Sequence, residues 1–150
     1  MRFLLIEDDS NKSKQIIEFI NASFTESSIE LKKSYQSGLK AIFSNEYDLI
    51  LLDMQLPTFD IKSGEDGYKF RKLAGVDILS ELKRKKKRSQ VIIITQFETF
   101  GEGEFHLNLS GLKDLLKLQF PGLYIDAVYY SPAQTIWKEE LEKLISNSII

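Results

Sequence analysis

The sequence contains no cysteine and a single histidine, His106, among its 150 residues. The absence of cysteine excludes disulfide frameworks, thiolate metal sites and cysteine nucleophiles, and one imidazole cannot build a histidine-rich metal site. No apolar run reaches the roughly 20 residues that a membrane-crossing helix needs, and acidic residues follow the N-terminal apolar run too early for a signal peptide. Hydrophobic residues make up 43% and charged residues 28%, which excludes wholesale disorder and fibrous classes. We therefore expect a cytoplasmic protein of one domain.

Short apolar runs alternate with helical patterns along the chain, and this alternation is typical of a parallel sheet covered by helices. Most of the runs are apolar on both faces, as strands buried between two helical layers must be, whereas the second is half polar, as an edge strand should be. The predicted strands are Arg2–Ile6, Ile29–Lys33, Asp48–Asp53, Val91–Thr95 and Tyr124–Tyr130. The predicted helices lie near 11–22, 38–43, 75–88, 110–119 and 133–145. The pattern predicts a doubly wound α/β fold with right-handed crossovers.

Polar side chains follow three of the predicted strands directly. Glu7 and Asp8 follow the first strand, Asp53 ends the third and Thr95 ends the fourth. In a doubly wound sheet these positions share one edge, where ligands bind. Carboxylates that crowd one crevice repel each other and call for a cation, and an all-oxygen donor set suits Mg²⁺. An aspartate beside such an ion is a candidate nucleophile toward phosphorus.

Four stretches of the chain resemble the receiver domain of two-component response regulators. They are FLLIEDD, DLILLDMQLP, VIIIT and YYSPAQTIWKEELEKLI. The resemblance implies a flavodoxin-like sheet with strand order 2-1-3-4-5, and it implies that Asp53 accepts a phosphoryl group. It further implies that Glu7 and Asp8 hold Mg²⁺ together with Asp53, that Gln55 lends its backbone carbonyl to the ion, and that Thr95 bonds a phosphoryl oxygen.

The chain departs from the receiver pattern on the side of the site that binds the phosphoryl group. Ser131 stands before Pro132 where the family has a lysine, and a hydroxyl brings no positive charge. Lys138, seven residues further on, is a poor substitute because it belongs to the last helix. Gln96 follows Thr95 where the family has a small residue. The metal-binding half of the site therefore matches the family, and the charge-bearing half is altered.

Other features have a structural interpretation beside the functional one. Ser10 is the expected N-cap of the first helix, and Asp9 is expected to be exposed or to help the cap rather than to bind metal. The six basic residues of Lys83–Arg88 could contact nucleic acid, but cations near a helix C-terminus complement its dipole, so a solvated helix end is favoured. The fragment 101–103 (GEG) opens no helix, so a phosphate-cradling role is not expected.

Two stretches are longer than the receiver pattern requires, and both follow strands at the predicted active edge. From Pro57 to Gly75 the chain advances 18 positions, and from Thr95 to Ser131 it advances 36. The family needs about 4 and about 22 there. The sequence therefore predicts one receiver-like domain, 1–150, with insertions near 58–74 and 96–110 that cover the site or form a partner surface.

The leading functional hypothesis is a stand-alone receiver that signals through protein contacts and is not an enzyme. Its expected partners are a sensor histidine kinase or phosphotransfer protein, an unidentified downstream protein and a second copy of the chain, but neither nucleic acid nor a membrane. The alternative is a pseudo-receiver, an interaction module that works without phosphorylation. A metal-dependent phosphohydrolase is a third hypothesis, although the chain lacks the second acid shortly after Asp53 that such enzymes tend to have.

Overall fold

The computed structural model describes residues 1–61, 70–100 and 106–148. The remaining parts of the two predicted insertions, and with them the fragment 101–103, lie outside the described residues. Among the helices of the described segments, none is both long enough and apolar enough to cross a membrane.

A five-stranded parallel sheet forms the centre of the protein. Its strands are β1 (Arg2–Ile6), β2 (Ser28–Lys32), β3 (Leu49–Leu52), β6 (Gln90–Thr95) and β9 (Tyr124–Tyr129). They lie side by side in the order β2-β1-β3-β6-β9, which is the predicted 2-1-3-4-5 when the five strands are counted along the chain. The half-polar strand β2 is at an edge, where one side of a strand meets solvent. The predicted fold class is confirmed.

Five helices cover the two faces of this sheet. They are α1 (Ser10–Ser23), α2 (Tyr35–Ser44), α3 (Ala74–Arg84), α4 (Leu109–Gln119) and α5 (Ile136–Ser148). Apolar residues of α1 and α5 pack on one face, and those of α2, α3 and α4 pack on the other. The central strands are buried on both faces, as their uninterrupted apolar sequences predicted.

Short antiparallel strands begin and end the two regions where the sequence predicted insertions. Strand β4 (Leu56–Pro57) pairs with β5 (Phe70–Arg71), and β7 (Thr99–Phe100) pairs with β8 (Leu107–Asn108). The sequence pattern predicted an insertion near 58–74 but no strand within it, and the structure places β5 at Phe70–Arg71. Two-residue strands carry too little periodicity to be read from sequence.

Two helix ends differ from the predicted ones, the first because of a side-chain cap and the second where the backbone leaves the helix. The first helix is capped by Asp9, whose Oδ1 accepts from the backbone amide of Lys12 at 2.9 Å, and not by Ser10, which is its first residue. The third helix ends at Arg84 instead of Arg88, and Lys86 has a φ of 53°.

Much of the basic segment is engaged within the protein. Lys83 Nζ donates to the carbonyl of Gln119 at 3.0 Å, and Lys87 Nζ lies 3.0 Å from a carboxylate oxygen of Glu46. Arg84 pairs with Glu81 at 2.6 Å. These contacts favour the structural interpretation of the basic segment over nucleic-acid binding.

Candidate functional site

The ends of two neighbouring strands bring three carboxylates together. In the β1–β3 ladder Ile6 is the partner of Leu52, so Glu7 and Asp53, which follow them, leave the sheet side by side. Asp8 is the next residue along the chain. One carboxylate oxygen from each of Glu7, Asp8 and Asp53 lies within 4.8 Å of the others. The structure thus places close together the three acids that were predicted to share one edge of the sheet from their positions at strand ends.

Two of the three acids are almost completely withdrawn from solvent. The exposed fractions of Glu7 and Asp53 are 2% and 4%. One oxygen of each is held by the backbone. Asp53 Oδ1 accepts from the amide of Met54 at 2.7 Å, and Glu7 Oε2 accepts from the amide of Asp9 at 3.1 Å. These bonds fix the orientation of both carboxylates and leave Glu7 Oε1 and Asp53 Oδ2 for other partners.

The side chain of Lys12, from the first turn of α1, reaches into this acidic cluster. Its exposed fraction is 1%. Its Nζ lies 2.5 Å from Glu7 Oε1 and 3.3 Å from Asp53 Oδ2, and it donates to the carbonyl of Ile94 at 2.8 Å. An ammonium has three N–H donors, and these three oxygens match that number.

One ammonium cannot neutralise three carboxylates, and the pKa values of the site show the imbalance. Burial and the neighbouring Asp53 raise the pKa of Glu7 to about 8. Burial also raises the pKa of Asp53, against the opposing effect of Lys12, and burial and Asp53 raise the pKa of Asp8. Burial opposes the charge of Lys12, but Asp53 and Glu7 outweigh it and raise its pKa. Further positive charge would therefore stabilise the ionised carboxylates of the site.

The donor set fits a small divalent cation. Three carboxylates with oxygens within 4.8 Å of one another offer only hard oxygen ligands, and Mg²⁺ binds through a few carboxylates while keeping several waters. The excess of negative charge is the condition that a divalent cation relieves. Gln55, the fourth candidate ligand, is a half-buried residue two positions beyond Asp53.

The two predicted phosphoryl-binding hydroxyls occupy different environments. Thr95 ends β6 and is fully buried, and its Oγ1 accepts from the amide of Phe97 at 3.1 Å. Ser131 follows β9 and is half-buried, and its carbonyl accepts from the amide of Gln134 at 3.2 Å. Lys138 lies in α5 with its Nζ 5.6 Å from the ring centroid of Trp137. The roles of Thr95 and Ser131 toward a phosphoryl group stay predictions.

Sequence reasoning missed Lys12, although the sequence holds a signal for it. Lys12 stands four and eight residues before Ile16 and Ile20, which are fully buried, so all three share the face of α1 that meets the sheet. A lysine in register with a buried apolar stripe is expected to find an acidic partner, because burial of an unpaired ammonium is costly.

No protein-family model matches this chain. It is 31% identical over 149 residues to the Detocs response regulatory protein DtcB of Enterobacter cloacae, covering 97% of this chain and 99% of that protein. It is 28% identical over 143 residues to the uncharacterized protein y4jR of Sinorhizobium fredii, covering 95% of each.

Among solved structures, the chain is similar to response regulator protein TrrA of Thermotoga maritima, which was crystallised in complex with Mg²⁺-BeF. The TM-score is 0.62 at 22% identity, and the match covers 95% of this chain and 97% of that one. At this identity the likeness concerns the fold.

Proposed function

The chain belongs to the response regulator receiver family, and from this premise we propose that it accepts a phosphoryl group on Asp53 with Mg²⁺ and signals through protein contacts. The observation that carries the proposal is the cluster of Glu7, Asp8 and Asp53, in which Glu7 and Asp53 are buried and one carboxylate oxygen of each acid lies within 4.8 Å of the others. A structural role alone does not account for it, because burying several acids together costs stability.

The proposed chemistry is a single phosphoryl transfer. A carboxylate oxygen of Asp53 forms a bond to phosphorus while the bond from phosphorus to the donor's leaving atom breaks. The leaving group departs with that electron pair, and the products are an acyl phosphate on Asp53 and the free leaving group, an imidazole or a carboxylate. Because Met54 fixes the Asp53 carboxylate through Oδ1, the nucleophile is held in one orientation before the donor arrives.

The other residues of the site support this transfer. Glu7, Asp8, Asp53 and the backbone carbonyl of Gln55 would hold Mg²⁺, which supplies positive charge to the phosphoryl oxygens when bound. Thr95, buried at the end of the neighbouring strand, is proposed to donate its hydroxyl to a phosphoryl oxygen. Ser131 is proposed to do the same from the end of β9.

The proposal also names the kinds of partner. The phosphodonor would be a sensor histidine kinase or a phosphotransfer protein in the cytoplasm, and the output would pass to a downstream protein or to a second copy of the chain. We propose that residues 1–150 act as one domain. The additions near 58–74 and 96–110 follow strands that end at the site, and we propose that they form the partner surface.

The proposal is tested by mass spectrometry of the intact protein. Incubation with Mg²⁺ and acetyl phosphate should add one phosphoryl group, and Asp53→Asn should abolish the addition. Asp48→Asn is the matched control, since Asp48 precedes the strand that Asp53 follows and its Oδ2 accepts from the amide of Arg2 at 2.7 Å. An unmodified wild type would refute phosphoryl acceptance, and continuous phosphate release from varied phosphomonoesters would indicate a hydrolase.

One observation favours the second candidate, a pseudo-receiver that works without phosphorylation. The cluster already contains a cation of the protein's own, because Lys12 pairs with Glu7 and Asp53. If this ammonium replaces the metal permanently, Mg²⁺ will not bind. A titration of the wild type with Mg²⁺ that leaves both thermal stability and tryptophan fluorescence unchanged would support the pseudo-receiver.

A further inference from the structure

At the usual position in the proposed site, no residue supplies positive charge to the phosphoryl group. The function proposed above also gives the side chain of Lys12 no part in the reaction. The position that carries a lysine in the receiver pattern is Ser131, so the positive charge expected beside the phosphoryl group is missing there. Lys12 places a buried ammonium beside the proposed phosphoacceptor, 3.3 Å from Asp53 Oδ2. Neither the acidic cluster nor the helix requires a lysine at this position, since the chain could neutralise the cluster with a metal ion alone.

Lys12 reaches the site at the same corner as Ser131. The ammonium lies 5.7 Å from the ring centroid of Tyr130, the residue directly before Ser131. The Tyr130 hydroxyl donates in turn to Gln15 Oε1 at 2.8 Å, which holds α1 against the end of β9. The ammonium also bonds the carbonyl of Ile94, the residue before Thr95. The cation thus contacts the residues directly before Thr95 and Ser131, which carry the two candidate phosphoryl-binding hydroxyls.

We propose that Lys12 is the phosphoryl-binding cation of this receiver, and that it pairs with Glu7 and Asp53 until metal and phosphoryl group arrive. Glu7 and Asp53 would hold Mg²⁺, and the ammonium would then leave Glu7 and donate to an oxygen of the phosphoryl group on Asp53. This inference rests on the proposed function, because it assigns a residue to the same reaction.

The short distances make this exchange feasible without movement of the backbone. The ammonium already lies 3.3 Å from Asp53 Oδ2, which is either the oxygen that would carry the phosphoryl group or the one beside it. The ammonium can also move, because it is attached to a flexible chain of four carbons. The bond to Ile94 can persist, because the exchange involves only the contacts of the ammonium with Glu7 and Asp53. Two consequences follow: Lys12 competes with Mg²⁺ for the carboxylates, and it strengthens binding of the phosphoryl group.

The two consequences have opposite signs in one variant, Lys12→Met, which keeps the unbranched side chain up to its last atom and removes the ammonium. Mg²⁺ should bind this variant about tenfold more tightly than the wild type, because a competing cation is gone. Beryllium fluoride, added with saturating Mg²⁺ as a phosphoryl mimic, should bind about tenfold or more weakly, because a charge-assisted hydrogen bond is lost.

The single tryptophan of the chain reports both titrations. Trp137 is buried, and its ring lies 5.2 Å from that of Tyr130, which in turn contacts the ammonium. Lys14→Met is the matched control, since Lys14 is an exposed residue of the same helix, and it should behave as wild type in both titrations. Thermal unfolding of each variant in saturating Mg²⁺ establishes that it is folded under the conditions of the assay.

Moving the charge back to its usual position separates this role from a structural one. Ser131→Lys should restore beryllium fluoride binding to the Lys12→Met variant and should change the wild type little, because Lys12 already supplies the charge. If Lys12→Met binds Mg²⁺ and beryllium fluoride as the wild type does, the inference is overturned while the proposed function stands. If the wild type itself binds neither and accepts no phosphoryl group, the proposed function fails and the inference fails with it.

Discussion

Raising the pH should weaken the folded state of the metal-free protein, because three carboxyl groups share a buried corner with one ammonium. Burial and Asp53 raise the pKa of Glu7 from 4.5 to about 8. The folded chain therefore keeps a proton on Glu7 at pH values where the unfolded chain has lost it. The stabilisation is complete below pH 4.5 and is lost as the pH rises through about 8.

The size of the effect follows from the shift in pKa. The difference between about 8 and 4.5 corresponds to about 5 kcal/mol at 1.36 kcal/mol per unit, which is an upper limit. We expect a fall of about 2–4 kcal/mol in the free energy of unfolding, since water entry relieves part of the desolvation. The pKa values of Asp8 and Asp53 are raised as well and act in the same direction. The raised pKa of Lys12 acts only above its ordinary value, outside this window.

Urea unfolding from pH 5 to pH 9 in the presence of a chelator, followed by the fluorescence of Trp137, measures this dependence. The variant Glu7→Gln should lose most of the slope, and Glu18→Gln, at an exposed position of α1, should keep it. Saturating Mg²⁺ should reduce the slope in the wild type, because the ion favours the ionised carboxylates. A wild type of constant stability over this range, or an unchanged slope in Glu7→Gln, would refute the argument.

Two further substitutions, Gly75→Ala and Tyr130→Phe, test the supports of the site, and Gly111→Ala is the control for the first. A Cβ at Gly75 would lie 2.8 Å from Met54 Sδ and 3.2 Å from Met54 Cα, so Gly75→Ala should lower stability by about 1 kcal/mol, the crowding outweighing the gain in helix propensity. In Gly111→Ala, in α4, the new Cβ would meet only side chains, so this substitution should be neutral or stabilising. Thermal unfolding measures both variants, and an equal loss of stability in Gly75→Ala and Gly111→Ala would contradict the argument. Tyr130→Phe removes the 2.8 Å hydrogen bond to Gln15 and should cost about 1 kcal/mol in urea unfolding. An unchanged midpoint would show that this bond does not stabilise the fold.

The fold was predictable because the sequence repeats one simple pattern. Runs such as Leu49–Leu52 and Val91–Ile94 are apolar at every position, and only a sheet covered on both faces buries every position of a strand. Parallel strands then place all their carboxyl ends at one edge. The proximity of Glu7 and Asp53 was therefore predictable from their positions in the sequence alone.

The ends of the elements were less predictable, because single contacts decide them. Whether Asp9 or Ser10 caps the first helix depends on which side chain meets a free amide, and both residue types are good caps. The strand at Phe70–Arg71 exists only through its partner Leu56–Pro57. A two-residue pairing leaves no periodic pattern in the sequence.

The sequence by itself thus determined the sheet, its helical layers and the acidic edge, since these depend on the period and order of apolar residues. Only the tertiary structure decided where the positive charge of the site comes from. Lys12 bonds the carbonyl of Ile94 across 82 positions of the chain, and no local pattern records such a contact. The ammonium reaches the acids because α1 packs its apolar stripe on the sheet and the core-facing lysine must then find its charge partners at the end of that stripe.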